Sequence, residues 1–348
     1  MREEFAVALA ELKKRRQPSI AQLELLLSAS SGAEEEMLFT AADVVRHQEL
    51  GDAVHLRGLI EFSNYCSWDC HYCGLRRSNQ TVNRYRLSEQ QLEAAAFFAA
   101  QHGYRTLVLQ AGEDGFYSGD QLADMVRRVK RIADVAVTLS VGLRSRADFE
   151  KMRRAGADRY LMKQEISEPD VFAKLRPGTE LKERVACLKW LKQEGWQVGS
   201  GFMIGLPGQT RRTLAQDLLL LQEIGVEMAG IGPFLPHPET PLREAAPGSL
   251  DDSLRALATA RLLLPTVHMP ATSAIGTLDP QGQRRALACG ANVVMPNLSP
   301  TVIRKAYQLY PGKVGTTEDA MASHERVVAM LKEINRPVAL DRGDGIRR

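Results

Sequence analysis

Apolar residues over positions 1–50 recur at i, i+3 and i+4 in three runs, EFAVALAELKKRR, IAQLELLLSAS and EEEMLFTAADVVRHQELG. That period predicts three short helices, the second opened by Pro18-Ser19. The period then changes. Runs rich in β-branched and aliphatic residues occur at 54–62, 106–112, 135–142, 159–165, 197–205, 230–236, 269–276 and 291–297, each short enough to be a strand. Helical stretches separate them, such as SEQQLEAAAFFAAQHG, SGDQLADMVRRVKRIA, TELKERVACLKWLKQEG and TRRTLAQDLLLLQEIG, many opened by Ser, Thr or Asp and closed by Gly. Eight strands alternating with helices predict an α/β protein, a parallel (β/α)8 TIM barrel with an N-terminal helical extension. A doubly wound open sheet is the alternative, since periodicity does not show closure. The expected division is a helical cap over 1–50 and a barrel over 51–348 with a C-terminal helical extension.

Composition changes this picture little. The 45 basic and 42 acidic residues leave a formal charge of +3, too small to mark nucleic acid or an anionic membrane as the main partner. No apolar run reaches the length of a membrane span, and the acidic, alternating N-terminus fits no targeting signal. A monomer in the cytoplasm is the expectation. Five cysteines, an odd number, argue for a reducing compartment. Cys187 and Cys289 stand alone among apolar residues, as small core side chains do.

The other three cysteines lie together in SNYCSWDCHYCG, as Cys66, Cys70 and Cys73, where the first strand runs out into a loop. Soft thiolates at this spacing suit an iron-sulfur cluster, zinc or copper(I). A structural zinc site normally closes with four ligands, and His71, between Cys70 and Cys73, is poorly placed to be the fourth. Three cysteines on a cubane leave one iron open for a substrate or cofactor. In a barrel the polar strand ends QAGED, SVG, KQE, GLPG, PHP, ATS and PNLSP converge on the same face as this loop.

The C-x3-C-x2-C loop, with Tyr72 directly before its third cysteine, resembles that of the radical S-adenosylmethionine (SAM) enzymes. The resemblance implies that Cys66, Cys70 and Cys73 hold a catalytic 4Fe-4S cluster whose open iron binds SAM, with reductive cleavage giving a 5′-deoxyadenosyl radical. It further implies SAM contacts from Tyr72, from Gly112, Glu113 and Asp114 after the second strand, and from Glu165 and Arg184. Met203, in GFMIGLPG, would lie along the adenine.

Over nearly the whole chain the stretches CGLRRSNQTVNRYRLS, LQAGEDGFYS, KLRPGT, GIGPFLPHPETPL, PATSAIGT, CGANVVMPNLSP and YQLYPGK are similar to the HydE-type maturases of iron-only hydrogenases. Biotin synthase and methylornithine synthase share that barrel. The resemblance implies a small anionic, sulfur-containing substrate, a cysteine-bound iron carbonyl-cyanide complex that serves assembly of the diiron H-cluster. It also implies transient partners, a second radical SAM maturase and a GTPase scaffold. By strand-end position the inner pocket is expected to be lined by Gln110, Thr138, Thr272, Ser273, Met295, Asn297 and Tyr307, all neutral and, Met295 aside, hydrogen-bond donors, with no acid among them. Three departures stand out. GKVGTTEDAMASHERVVAM lacks the cysteines of a second cluster, Lys163-Gln164 stands where an Arg-His pair is common, and Leu143 follows Gly142 in place of an acid. A methylornithine synthase-like mutase and a zinc-stabilised binding protein are the alternatives.

Overall fold

The computed structural model describes residues 2–30 and 32–346. The N-terminal periodicity is realised as α1 (Glu3–Arg15), α2 (Ile20–Leu27) and α3 (Ala33–Leu50). Strand and helix then alternate: β1 (His55–Ser63), α4 (Glu89–Gln101), β2 (Thr106–Ala111), α5 (Gly119–Ile132), β3 (Ala136–Ser140), α6 (Arg146–Arg154) and β4 (Arg159–Leu161). Next come α7 (Pro169–Leu175), α8 (Leu181–Gln193), β5 (Gln197–Ile204), α9 (Arg211–Ile224) and β6 (Met228–Pro233). The chain continues with α10 (Leu250–Leu263), α11 (Ser273–Leu278), α12 (Gly282–Leu287), β7 (Val293–Val294), α13 (Thr301–Arg304) and α14 (Ala320–Glu333).

The helix starts follow local chemistry. Ser19, Ser88, Ser118 and Thr210 each accept the N–H three residues on, while the side chain there accepts the cap's own N–H. This reciprocal pairing satisfies donors that a helix start leaves orphaned. Gly225 closes α9 in the left-handed region, where no Cβ is strained.

All strand pairs are parallel, in the order β6-β5-β4-β3-β2-β1-β7 among the described residues. This is the TIM-type α/β barrel that the alternation predicts, with one correction. Residues 269–276 do not form a strand. His268 bridges Met228 of β6 and Pro270 bridges Val293 of β7, so a short extended segment carries backbone pairing between the two edge strands. Beyond Ala271 the chain turns into α11, because Thr272 accepts the Ile275 N–H at 3.4 Å and so caps a helix.

β1 is buried along its whole length, yet carries His55, Arg57 and Glu61 at alternating positions. On a strand those share one face with Leu59, which lines the central cavity, so they point into the barrel. The floor is closed by the chain's own tail. Val338 bridges Val54, and fully buried Arg159 donates to Thr106, Gln197, the Arg342 carbonyl and the Asp344 carboxylate. Arg57 donates to the Gly343 carbonyl at 3.2 Å, and His55 pairs with Asp341 at 2.9 Å. Charges inside a barrel demand such partners, since an unpaired buried charge is costly. On the outer faces of the strands, apolar side chains of the sheet, of α1–α3 and of the surrounding helices form one continuous cluster.

Candidate active site

The cysteine loop leaves the C-terminal end of β1 and is pinned from both sides. The Ser67 N–H donates to the Glu113 carbonyl at 3.0 Å, the His71 N–H to the Leu175 carbonyl at 2.9 Å and the Gly74 N–H to the Leu309 carbonyl at 2.9 Å. Gly112 lets β2 approach this loop, because a Cβ there would run into the Tyr65 backbone and the Cys66 side chain. Cys66, Cys70 and Cys73 carry free thiols and face one cavity of about 370 Å³ inside the strand ends. Burial pushes all three thiols up, Cys70 to about 11, while the Arg176 guanidinium draws each back down. Metal binding would displace the thiol protons and hold the three sulfurs as thiolates. Among the described residues no three His, Cys, Asp or Glu side chains gather as a single ion requires. A cubane instead gives each cysteine an iron of its own. Three cysteines around one cavity, beside a buried cation, fit that anionic group.

Glu113 is the electrostatic knot of the upper cavity. One carboxylate oxygen accepts from Arg176 at 2.9 Å and Arg184 at 3.0 Å; the other accepts from the Trp68 indole at 2.8 Å and the Leu143 N–H at 3.2 Å. Burial raises its pKa, but Arg184 and Arg176 outweigh burial and hold the carboxyl below its usual range. Gly142 makes room for it: φ is +78° there, and a Cβ would collide with the Glu113 side chain. Arg184 also donates to the Lys163 carbonyl at 3.1 Å. Glu165 reaches the cavity from the end of β4 with φ at +68°, a strained value for a residue other than glycine, and its carboxylate lies 3.5 Å from Lys163 Nζ. Tyr72 and Met203 line the cavity and pack against a second apolar cluster of Ile166, Phe172, Leu175, Leu181, Leu206 and Phe234.

Deeper in the cavity the Gln110 amide donates to the Tyr307 hydroxyl at 3.1 Å, Ser273 shares a hydrogen bond with Tyr310 at 2.8 Å, and Thr272 and Met295 complete the wall. Asn297 donates to Glu61 at 2.8 Å, and Glu61 is paired with Lys313. The structure thus gathers nearly all of the expected site residues around one cavity, and corrects two. Asp114 does not line it. Its carboxylate is buried beneath the loop, held by Ser63 at 2.7 Å and by Arg86 at 2.7 and 3.0 Å, because β2 ends at Ala111 and the two neighbouring acids diverge. Thr138 lies mid-strand, two residues below Ser140, buried beneath the cavity wall with its hydroxyl unpartnered. The lining is also not neutral, as Glu61 and Lys313 both belong to it.

Sequence reading passed over four contributors. Arg176 donates to the Tyr72 hydroxyl at 2.9 Å as well as to Glu113. Glu61, Tyr310 and Lys313 also line the cavity. For Glu61 a signal existed: charged residues at alternating positions of a strand otherwise apolar enough to be fully buried.

A cysteine-bearing loop over the C-terminal mouth of a parallel barrel, with a cavity beneath it, defines a radical SAM enzyme, and the profile of the Radical SAM superfamily matches residues 60–221. The HydE subunit of the FeFe hydrogenase maturase of Thermotoga maritima is 44% identical over 335 residues, 96% of either chain. The 3-methylornithine synthase of Methanosarcina acetivorans is 30% identical over 274 residues, 78% of this chain and 77% of that one. The crystal structure of a methylornithine synthase matches with a TM-score of 0.84 at 27% identity, covering 95% of this chain and 97% of the other. The chain belongs to the HydE-type hydrogenase maturases of the radical SAM superfamily. Enzymes of this superfamily bind a 4Fe-4S cluster and SAM, and those are its cofactors. No helix among the described residues is long and apolar enough to cross a membrane.

Proposed function

We propose that the protein acts in assembly of the diiron H-cluster, on a small sulfur-containing substrate, a cysteine-bound iron carbonyl-cyanide complex held below SAM in the barrel. The observation that carries this reading is the division of one cavity into two chemistries: a cysteine, arginine and glutamate collar above, and hydroxyl and amide donors beneath.

In this reading Cys66, Cys70 and Cys73 would hold the cluster, which would supply the electron for reductive cleavage of SAM, and the resulting adenosyl radical would add to the substrate sulfur. Arg184, locked by Glu113 and the Lys163 carbonyl, is oriented to receive the SAM carboxylate. Glu165 takes the ribose hydroxyls, and the apolar shelf behind Tyr72 and Met203 takes the adenine. Gln110, Thr272, Ser273 and Tyr307 donate to the carbonyl, cyanide or carboxylate groups of the substrate, on rigid supports that exclude bulk water. A second radical SAM maturase delivers the substrate and a GTPase scaffold receives the product.

The test is in vitro maturation of an apo-hydrogenase with the partner maturases, SAM and reductant, with and without this protein. Hydrogen evolution that depends on the protein supports the reading. Conversion of lysine to methylornithine, with no effect on maturation, would replace it with the mutase reading that the 30% relative invites.

A further inference from the structure

The collar around the cysteine loop holds more positive than negative charge. Lys163, Arg176 and Arg184 line the cavity there against Glu113 and Glu165. Lys163 answers Glu165 at 3.5 Å, and Arg184 answers Glu113 at 3.0 Å. Arg176 has to share Glu113, at 2.9 Å, so its charge is left without an anion of its own. The Tyr72 hydroxyl beside it supplies none, because burial holds that phenol well above its ordinary pKa and so neutral. The Arg176 side chain is only 6% exposed, and a buried cation without full compensation is costly. Its Nε–H is buried and meets no acceptor among the described residues. Arg84, which follows the loop in the chain, is satisfied instead by the carbonyls of Asn64, Leu75, Arg76 and Asn79. The Arg176 guanidinium bears on Cys66, Cys70 and Cys73 alike, whereas Glu113 opposes it at Cys66 and Cys70.

We propose that Arg176 is the residue that tunes reduction of the cluster, its surplus charge stabilising the more negative, reduced state over the oxidised one. This rests on the reading of the three cysteines as the cluster's ligands. One electron from the external reductant makes the cluster and its thiolates one unit more negative, with no bond formed or broken in that step. A fixed cation nearby lowers the energy of the reduced state more than that of the oxidised one, and burial keeps solvent and salt from screening it. Net charge and hydrogen bonds around the sulfurs are the levers by which a protein sets such a potential, and the unclaimed Nε–H of Arg176 is a donor of the kind cluster sulfurs accept. Glu113 works in the opposite sense: it anchors the guanidinium and cancels part of its field.

The test is an anaerobic redox titration of the cluster-loaded full chain without SAM, read by the electron paramagnetic resonance signal of the reduced cluster. Arg176→Gln keeps a donor for Glu113 but loses the charge, and should make reduction at least about tenfold less favourable, a midpoint lower by about 59 mV for one electron. Arg176→Lys, which keeps the charge, should lie nearer to wild type than to Arg176→Gln. Glu113→Gln, which removes the opposing charge, should raise the midpoint. A reduction equilibrium in Arg176→Gln within about twofold of wild type overturns the inference, as does an Arg176→Lys variant shifted as far as Arg176→Gln. A shift seen only once SAM is bound makes Arg176 a SAM contact and overturns it too. If Arg176→Gln holds no cluster, Glu113→Gln decides, and an unchanged or lowered midpoint there overturns the inference. Wild-type protein that yields no cluster signal loses the ligand reading of the cysteines along with it. Hydrogenase maturation is read separately: a protein that matures hydrogenase while the Arg176→Gln midpoint stays at the wild-type value has lost this inference alone.

Discussion

Glu113→Gln is the substitution through which the collar's electrostatics are most exposed. The side chain keeps its size, so packing changes little, but the four donors around it now face an amide. One oxygen still accepts from Arg176 and Arg184, without the charge that made those contacts ionic. The new NH2 group meets the Trp68 indole and the Leu143 N–H, donor against donor. Two guanidiniums, 6% and 4% exposed, lose their shared counter-charge. Breaking a buried pair from one side costs about 3–5 kcal/mol, and that is the expected loss of stability. Arg184→Met, which leaves Glu113 with three donors, should cost about 1.5–3 kcal/mol. The double variant should cost less than the sum by about 1.5–3 kcal/mol, because each change removes the same interaction. Denaturant unfolding followed by tryptophan fluorescence, to which Trp68, Trp190 and Trp196 all contribute, reads the global stability. The sign with pH is also fixed. A carboxyl held below its usual 4.5 contributes stability that is present above that pH and lost as pH falls through the lower, folded value. Strict additivity, or a Glu113→Gln variant as stable as wild type, would refute the collar.

Asp217 should show the opposite sign: burial raises its carboxyl to about 7, so the stability present below about pH 4 falls by up to roughly 4 kcal/mol as pH rises through 7. In Asp217→Asn that slope should vanish from a pH series of unfolding midpoints. Glu165→Gly should leave stability within about 1 kcal/mol of wild type, since relief of the positive φ offsets glycine's added chain entropy, while SAM affinity measured by calorimetry falls. Cys289→Ala should cost about 1 kcal/mol and leave iron content unchanged, whereas serine at Cys66, Cys70 or Cys73 should abolish the cluster's electron paramagnetic resonance signal.

The parts of this fold that were legible in the sequence are those set by local patterns. Capping serines placed α2, α4 and α5 at their starts, and the apolar runs of β1 to β6 fell where the strands are. The run at 269–276 misled because its first half is apolar and extended, while Thr272 has the chemistry of a helix cap, and periodicity over eight residues does not separate the two. Glu113 and Asp114 illustrate a second limit. Alternation assigns faces only while a strand continues, and beyond Ala111 the backbone alone decides which acid turns to the cavity. The tail over the barrel floor had no local pattern at all. Its contacts, from Arg57 and Arg159 to the carbonyls of Gly343 and Arg342, join residues far apart in the chain. The Glu61 and Lys313 pair is equally remote in sequence, although the polar face of β1 hinted at one half of it.

The proposed reaction is tested most directly by mass analysis of what becomes of the adenosyl group. The cluster-loaded protein is incubated with SAM, a reductant and the cysteine-bound iron carbonyl-cyanide complex, and the products are separated anaerobically. The account predicts an adduct joining the adenosyl 5′-carbon to the substrate sulfur, formed in step with loss of the complex. Release of 5′-deoxyadenosine alone, in the same yield with and without the complex, would contradict it.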